Sequence, residues 1–453
     1  MPFNRIQISG YIIQWEVCTL KVAGIIAEYN PFHNGHLYQI KKARELTGAD
    51  RVVIVMSGDF VQRGSAAITD KYVRTRMALE GGADLVLELP VVASTGSAEY
   101  FAGGAVRILN ALGCVDCLSF GCENPDMEQL LYLADFFDEE PSEYQSFLQR
   151  HMQEGMTFPA AREQALRDFI AQRAAAAQTS GRDPEDDDLI PIDPEDTPSL
   201  LRSPNNILAV EYLRALRRCS SSIEPVAIER TDSGFRSVTP DSASGLSSAN
   251  ALRHLIRNRS QSWQTEVIPY IPESSRRAMP SDLWERDSLE RRHYDFLLHY
   301  RLLSECSLSR YLDVSMELEK RIQSLLPMYR TSDRFLDLLK TRPFTEARCR
   351  RALLHIALGI TKEDAETFRQ ESTAPYARIL GFRKESADLL HEIKQNNRGI
   401  TLISKVADAG QILSRTQKRL FDKDLYTSSL YELMAAPQDE VMRSEYHRSP
   451  VKI

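Results

Sequence analysis

Residues 24–37, GIIAEYNPFHNGHL, contain an apolar run, a polar loop and the start of a helix. The apolar run, Val22 to Ala27, is typical of a buried strand, and the helix is predicted to begin near Gly35. His33 and His36 are three residues apart, about one helical turn, so both imidazoles can face one ligand. Gly35 lets the backbone approach a bulky anion, and the N–H groups of a helix start stabilise negative charge. The stretch therefore predicts a nucleotide-phosphate site that needs no glycine-rich phosphate loop.

The segments that follow repeat the alternation of short apolar runs and helical stretches. Apolar runs of five or six residues, each followed by a helix, predict an α/β fold with a Rossmann-like parallel sheet wound by crossover helices. Such sheets bind ligands beyond the carboxyl ends of their strands. Further strands are predicted at Arg51–Met56, Asp84–Leu89, Cys117–Phe120 and Pro225–Glu229, and helices over about residues 35–46, 70–80, 98–112 and 207–218.

Composition divides the chain into regions. Residues 21–270 contain the alternating pattern and are predicted to form a nucleotide-binding α/β domain. Within them, residues 179–198 are rich in Asp and Pro and are predicted to be a disordered surface insertion, since they cannot bury enough apolar surface to fold. Beyond Pro272 the strand patterns stop, and long amphipathic stretches predict an α-helical C-terminal domain over residues 271–453. Residues 1–20 precede the first strand as an N-terminal extension and do not have the pattern of a signal peptide.

The overall charge conceals an uneven distribution. Lys plus Arg number 56 and Asp plus Glu 63, a formal charge of −7 that by itself argues against a nucleic-acid partner. However, the segment from Gly181 to Pro198 contains eight acids and one arginine and alone accounts for −7. Residues 271–453 contain 31 basic and 27 acidic side chains, a net charge of +4. The C-terminal part can therefore meet polyanions through local basic patches.

The cysteines and the hydropathy pattern indicate the cellular compartment of the protein and whether a metal site is expected. Seven cysteines in a long chain without a secretion signal are typical of a reducing cytosol, so a cytoplasmic location is expected. No run of about 18 apolar residues occurs, so no membrane span is expected. Cys114, Cys117 and Cys122 lack a nearby fourth ligand, and His33 and His36 lack a third one at zinc spacing. No metal site is therefore predicted.

The HxGH pattern of residues 33–36 resembles the HIGH-type nucleotidyltransferase superfamily, whose members make or break a bond to the α-phosphate of ATP. Residues 246–253, LSSANALR, look like the second signature of that superfamily, a Ser/Thr-rich helix start that ends in Ile-Arg. Ser248 and Arg253 would then hold the β- and γ-phosphates and afterwards pyrophosphate. Asn250 stands where a threonine is expected. Without the HxGH partner, a serine pair before a helix would be interpreted as an ordinary N-cap.

Longer sequence segments indicate one particular family within this superfamily. Together they are similar to the tRNA(Met) cytidine acetate ligase family, from about Lys21 to the end of the chain and excluding the acidic insertion. The strings in the first domain are residues 28–36, 57–64 (SGDFVQRG), 82–90 (GADLVLELP), 118–123 (LSFGCE) and 203–208 (SPNNIL). Those in the second are residues 342–360, 375–382 and 445–451. Two departures exist: Asp59 replaces an expected Asn, and residues 231–235 match a Gly/Tyr segment loosely.

The resemblance implies an ATP-dependent ligase that joins acetate to ATP, giving acetyl-adenylate and pyrophosphate. It then passes the acetyl group to N4 of the wobble cytidine, C34, of elongator methionine tRNA, which forms N4-acetylcytidine. ATP is the implied co-substrate, Mg²⁺ is expected on the leaving pyrophosphate, and His33 and His36 are the implied catalytic residues. The residues implied to contact ATP are Ile26, Ala27, Glu28, Tyr29, Asn30, Pro31, Phe32, His33, Asn34, Gly35, His36, Leu37, Tyr38, Gln39, Gly121, Asn205, Arg230, Ser248 and Arg253.

Basic residues in two places are candidates for tRNA contact. Arg63 follows the second predicted strand, where the alternative is a solvated loop. The densest basic run of the second domain contains Arg342, Arg348, Arg350 and Arg351, for which phosphate contact is predicted. The alternative for this run is a charged helix face that borders buried leucines.

Two other kinds of function share these features. One is an adenylyltransferase or acetate-activating ligase that acts on a small molecule or a protein thiol. The other is a non-catalytic RNA-binding protein on a degenerate scaffold, against which the intact His33, Gly35, His36 and Arg253 argue. A C-terminal domain of about 180 residues with basic clusters exceeds what a small acceptor needs, and favours a folded RNA.

Overall fold

The computed structural model describes residues 4–8, 11–15, 20–180, 190–193, 197–230, 247–258, 263–370, 374–436 and 442–453. Most of the predicted acidic insertion, residues 181–189 and 194–196, lies outside the described residues, as does the loop at 231–246. The strands are β1 Asn4–Ile8, β2 Tyr11–Trp15, β3 Val22–Ala27, β4 Arg51–Ser57, β5 Phe60–Val61, β6 Ser65–Ala66, β7 Leu85–Leu89, β8 Cys117–Cys122, β9 Glu224–Glu229, β10 Tyr376–Phe382, β11 Thr401–Ile403 and β12 Val451–Lys452.

Helices follow most of the central strands and then fill the C-terminal half. They are α1 Asn34–Thr47, α2 Lys71–Glu80, α3 Val91–Ser94, α4 Ala98–Leu112, α5 Met127–Glu139, α6 Ser142–Gln153, α7 Phe158–Ser180, α8 Thr197–Arg202, α9 Pro204–Arg218, α10 Ala249–Asn258, α11 Trp263–Val267, α12 Glu273–Ala278, α13 Leu283–Ser304, α14 Met316–Leu325, α15 Ser332–Leu339, α16 Glu346–Leu358, α17 Lys362–Arg369, α18 Ala387–Asn396, α19 Ala409–Ile412 and α20 Arg415–Ala435. None of the helices in the described ranges is long and apolar enough to cross a membrane.

The main sheet has the order β11-β10-β7-β4-β3-β8-β9, with β12 beside β10. The five strands from β7 to β9 in this order pair in parallel, which confirms the predicted α/β fold. β3 comes first of these in the chain and lies between β4 and β8, so the strand order reverses beside it. In open α/β sheets the crevice at such a reversal, outside the strand carboxyl ends, is where ligands bind.

The central strands are apolar because helices cover both faces of the sheet. In β3 the side chains alternate between two cores: Val22 and Ile26 lie in the larger one, and Ala23 and Ile25 lie in the smaller one. Helices α4 and α9 pack on the first face, and α1 and α2 pack on the second. A parallel strand buried on both faces has a nearly continuous apolar sequence, which is the pattern that predicted these strands.

The prediction that strands end before Pro272 is wrong. β10 pairs antiparallel with β7, with Arg378 opposite Glu88, and β11 and β12 pair in parallel with β10. Arg378 is buried and forms an ion pair with Glu445, so a charge that is unusual in a buried strand is neutralised from the far end of the chain. The partner strands and the partner acid are remote in sequence, and therefore no local pattern revealed β10.

A helical C-terminal region is nevertheless present, as predicted. Helices α13 to α16 share a separate apolar cluster that includes Leu298, Leu318, Phe335 and Cys349. Parts of α16 and α20 also pack into the larger core beside the sheet. The boundary of the two domains near residue 270 stays a prediction.

Candidate active site

A cavity lies at the carboxyl ends of β3 and β8, next to the strand-order reversal. The cavity volume is about 150 Å³, and the cavity opens to solvent. Separate parts of the chain meet here: the β3–α1 loop, the loop after β4, the end of β8, the start of α9, the end of β9 and the start of α10. The predicted site residues that line it are Ile26, Ala27, Glu28, Tyr29, Asn30, His33, His36, Gln39, Arg63, Gly121, Asn205, Arg230, Ser248 and Arg253.

Six other residues of the predicted ATP segment do not line the cavity: Pro31, Phe32, Asn34, Gly35, Leu37 and Tyr38. They shape the turn and the helix start instead. The Phe32 side chain is fully buried in the smaller core. The Asn34 side chain donates to the Pro269 carbonyl at 3.1 Å. A Cβ atom on Gly35 would lie 2.9 Å from the His33 ring, so glycine is required beside that ring.

The two histidines are held by the backbone of their own turn. His33 is the N-cap of α1, and its Nδ1 accepts a hydrogen bond from the Gly35 N–H at 3.1 Å. The Nδ1 atom of His36 accepts the His33 backbone N–H at 3.2 Å. A neutral imidazole has one acceptor and one donor nitrogen, so in both rings the proton lies on Nε2. Each neutral ring therefore has a single donor, Nε2–H, with which it can bind a phosphate oxygen.

His36 remains neutral for an electrostatic reason. Its pKa is lowered well below the usual histidine value, mainly by burial and further by the neighbouring His33 ring and the positive charge of Arg230. Protonation would also place a proton on the Nδ1 atom that accepts the His33 N–H. The arrangement thus favours a fixed hydrogen-bond donor over a group that exchanges protons near neutral pH.

A second helix start meets the first one at the cavity. Ser248 caps α10, with its Oγ accepting the Ala251 N–H at 3.2 Å. Arg253 is buried one turn into α10, and its Nη1 donates to the Asn30 carbonyl at 2.7 Å. Burial lowers the pKa of Arg253 to about 10, which still leaves the guanidinium charged at neutral pH. The N-cap interpretation and the phosphate-site interpretation of this segment are therefore compatible.

One carboxylate faces the cations of the cavity. The Glu28 Oε1 atom accepts the Gln62 backbone N–H at 3.0 Å. Burial lowers the pKa values of Arg63 and Arg253, and the attraction of Glu28 opposes the lowering at both. Among the lining residues in the described part of the chain, Glu28 is the only carboxylate, and three arginines surround the same space. Such a cavity is suited to a polyanion.

The carboxyl ends of β3 and β4 are joined by a buried arginine. Arg74 is fully buried and donates to the carbonyl groups of Glu28, at 2.7 Å, and Ser57, at 3.0 Å. It also donates to the carbonyl groups of Gly58 and Thr69. These bonds set the position of Glu28 and of the loop that supplies Gln62 and Arg63.

Asn205 is positioned by an acid that the sequence analysis did not single out. The Glu123 carboxylate accepts the Asn205 side-chain amide at 2.7 Å and the Asn206 N–H at 3.2 Å. In return, the Asn206 side chain accepts the backbone N–H groups of Glu123 and Asn124, at 2.9 and 3.1 Å. The loop after β8 and the start of α9 are thereby clamped together.

The apolar end of the cavity was also missed. Phe101, Phe120, Leu208 and Tyr212 line it. Leu208 and Tyr212 are three and seven residues after Asn205 on α9, so helical periodicity from Asn205 identifies them in retrospect. Phe101 lies on α4, and no local pattern distinguishes it from the other apolar residues of that helix.

The predicted tRNA-binding arginines of the helical region do not line the cavity. Arg350 forms ion pairs with Asp333 and Glu346, both at 3.2 Å, and remains partly exposed. Arg351 is mostly buried and pairs with Asp313 at 2.8 Å, which favours a structural role. Arg348 contacts the Asp313 carbonyl at 3.4 Å. Arg342 is exposed before α16.

The basic helix nevertheless adjoins the active-site loop. Gly64 has φ +76°, and a Cβ atom there would lie 2.6 Å from the Arg351 backbone nitrogen. The loop that supplies Gln62 and Arg63 to the cavity therefore packs directly on α16. This contact connects the sheet domain to the helical region.

A parallel sheet whose first strand leads into an HxGH helix start, faced by a second basic helix start, defines a nucleotidyltransferase of the HIGH type. The family model described as HIGH Nucleotidyl Transferase matches residues 20–446. Within this class, the chain belongs to the tRNA(Met) cytidine acetate ligase family. It is 37% identical over 420 residues to the enzyme of that name from Acetivibrio thermocellus, covering 91% of this chain and 94% of the relative.

Further relatives match this chain over nearly its whole length. The tRNA(Met) cytidine acetate ligase of Clostridium kluyveri is 34% identical over 444 residues, which cover 96% of this chain and 99% of the relative. The crystal structure of Thermotoga maritima TmcAL bound with alpha-thio ATP is 30% identical, with a TM-score of 0.81, and the match covers 96% of this chain and 99% of that one. The fold and the family are thereby established.

Proposed function

We propose that the protein activates acetate with ATP and transfers the acetyl group to N4 of the wobble cytidine of elongator tRNA(Met). As a member of this family, it is an ATP-dependent ligase. The relatives named for this reaction support the substrates. The observation that carries the proposal is the meeting of two helix starts at one cavity, with the donors of His33 and His36 on one side and Arg253 on the other.

In the first step acetate attacks the α-phosphate of ATP, so two anions must approach each other. The site supplies N–H donors and positive charge for this: the Nε2–H groups of His33 and His36, and the guanidinium groups of Arg230 and Arg253. Catalysis at phosphorus is largely positioning and charge stabilisation, and needs no acid or base from these histidines.

The proposal includes Mg²⁺ bound together with ATP. Only one carboxylate, Glu28, lines the cavity in the described ranges, and these ranges contain no group of three or more metal-ligating side chains. Mg²⁺ is commonly held by one or two carboxylates together with substrate phosphates and water. The ion would stabilise the charge of the leaving pyrophosphate.

In the second step the acetyl group moves from acetyl-adenylate to cytosine N4. The N4 lone pair is delocalised into the ring, so the amine is a poor nucleophile, and orientation against an enclosed mixed anhydride contributes most of the rate. Contacts of Arg63, Arg342, Arg348 and Arg350 with RNA phosphates belong to this proposal, and Arg351 supports the same helix.

A cytoplasmic location also belongs to the proposal. Cys114, Cys117, Cys122, Cys306 and Cys349 are free thiols. Free thiols are typical of a reducing compartment.

The test is incubation of the protein with ATP, labelled acetate and total tRNA, followed by nucleoside analysis. The expected product is labelled N4-acetylcytidine, formed only when ATP is present. Label found instead on a small molecule or on protein thiols would favour the alternative acceptors. Acetate-independent RNA binding without any labelled product would favour a binding protein.

A further inference from the structure

We propose that Glu28 is the general base of acetyl transfer: its carboxylate accepts a hydrogen bond from the cytosine N4 amino group and takes the proton that N4 releases. This inference rests on the proposed function and deepens it. It assigns a second-step role to a carboxylate whose negative charge opposes the approach of acetate to ATP in the first step.

The transfer step must dispose of one proton. The N4 lone pair forms a bond to the carbonyl carbon of acetyl-adenylate, and the bond from that carbon to the AMP phosphate oxygen breaks, with its electron pair leaving on AMP. One N4 proton then passes to a Glu28 oxygen. Because nitrogen becomes much more acidic as the N–C bond forms, a carboxylate is a sufficient base for this step.

Other side chains in the cavity are unsuited to this role. His33 and His36 both use Nδ1 to accept backbone N–H groups, so their Nε2 atoms are protonated and can only donate. Burial raises the pKa values of Tyr29 and Tyr212, which keeps both phenols protonated. The lining arginines are cations. Among the described lining residues, Glu28 alone remains as a proton acceptor.

The position of Glu28 suits the task. It follows the last residue of β3, in the crevice beside the strand-order reversal, and Arg74 fixes its main chain through the carbonyl group at 2.7 Å. Oε1 accepts the Gln62 N–H at 3.0 Å, and within the described ranges Oε2 accepts no hydrogen bond. One oxygen is thus anchored, and the second is available to a substrate.

The Glu28 carboxylate can also distinguish cytosine from uracil in the tRNA substrate. Carboxylates accept hydrogen bonds from cytosine N4, whereas uracil presents the acceptor O4 at the same place. An acceptor opposite an acceptor leaves both groups without a partner and is repulsive. Glu28 therefore favours a cytosine in the cavity and disfavours a uracil.

The test separates the two half-reactions in Glu28→Gln, which keeps an oxygen to accept the Gln62 N–H but cannot act as a base. Single-turnover transfer from acetyl-adenylate to tRNA is expected to fall about a hundredfold or more. Acetate-dependent pyrophosphate exchange is expected to fall by a much smaller factor. Glu28→Asp, which keeps a carboxylate, should recover part of the transfer rate. Glu229→Gln, an exposed acid at the end of β9, is the matched control.

Each outcome has a distinct meaning. Equal losses in exchange and transfer would overturn the proposal, because Glu28 would then act in ATP binding or in the fold. Wild-type transfer by Glu28→Gln would overturn it directly. If the wild-type protein carries out exchange but transfers nothing to tRNA, the proposed function itself fails, and the role of Glu28 fails with it.

Discussion

The Nδ1 atom of His36 accepts the backbone N–H of His33, and the two imidazole rings stack with their centroids 3.7 Å apart. This relationship makes the HxGH turn a rigid unit, because the first histidine caps the helix and the second one caps the first. It also determines the tautomer of both rings. We therefore propose that the histidines act as fixed donors to phosphate oxygens.

Replacing His36 by Ala is expected to reduce acetate-dependent pyrophosphate exchange about a hundredfold or more, since losing one preorganised donor typically costs that much. His391→Ala removes an exposed histidine from α18 and is the control. Thermal unfolding should show that both variants are folded. Full exchange activity in folded His36→Ala would refute the assignment.

The lowered pKa of His36 predicts how stability depends on pH. Its folded pKa lies below its unfolded value near 6.5, so the stabilisation is present above about pH 6.5 and is lost as the pH falls. The unfolding free energy should drop by up to about 1.4 kcal/mol per pH unit for this one group. Urea unfolding at several pH values should show a shallower dependence in His36→Gln. The variant must be compared with the wild type because His355 is also buried and also has a lowered pKa. Identical slopes in both proteins would contradict the prediction.

The clamp on Asn205 should matter for ATP binding. Glu123→Ala removes the acceptor of the Asn205 amide, and the loss of such a charge-assisted bond is worth about 1.5 kcal/mol, or roughly tenfold. We expect the KM for ATP in pyrophosphate exchange to rise by about this factor. Glu128→Ala, on the exposed side of α5, should leave it unchanged. An unaltered KM in Glu123→Ala would show that Asn205 is placed without the clamp.

The arginines before and within α16 should contribute to tRNA binding unequally. Charge reversal at Arg342 and Arg350 should weaken tRNA binding and reduce the log–log salt slope by about one for each lost phosphate contact, while exchange is retained. Arg76→Glu, an exposed site on α2, is the control. Filter binding at several salt concentrations measures the effect. Unchanged affinity would place the RNA surface elsewhere, and parallel loss of exchange would indicate a damaged contact with the 62–64 loop.

Arg351 should behave differently from these residues. Its Asp313 partner is mostly buried, and removing one member of such a pair leaves an uncompensated charge. Arg351→Ala should therefore lower the free energy of unfolding by about 3 kcal/mol. Arg350→Ala should lower it less. Equal stabilities, measured by urea unfolding, would mean that Arg351 is free to serve the RNA.

Short-range sequence patterns predicted the parts of the structure that form through interactions between residues close in sequence. The strand–loop–helix unit around His33 was predictable because apolar burial, helix capping and histidine spacing all act within fifteen residues. The contact of Arg253 with the Asn30 carbonyl was predictable only from a second motif. Phe101 and Glu123 were missed because their roles depend on partners far away in sequence, and β10 was missed because Glu445 neutralises its Arg378 only in the folded state.

The central claim is that this cavity joins acetate to ATP and hands the acetyl group to one cytidine. The most direct measurement uses unmodified elongator tRNA(Met) transcripts with C34 or with U34, incubated with labelled acetate with and without ATP. The account predicts ATP-dependent label in the C34 transcript, recovered as N4-acetylcytidine, and none in the U34 transcript. Label that never leaves acetyl-adenylate, or equal labelling of both transcripts, would contradict it.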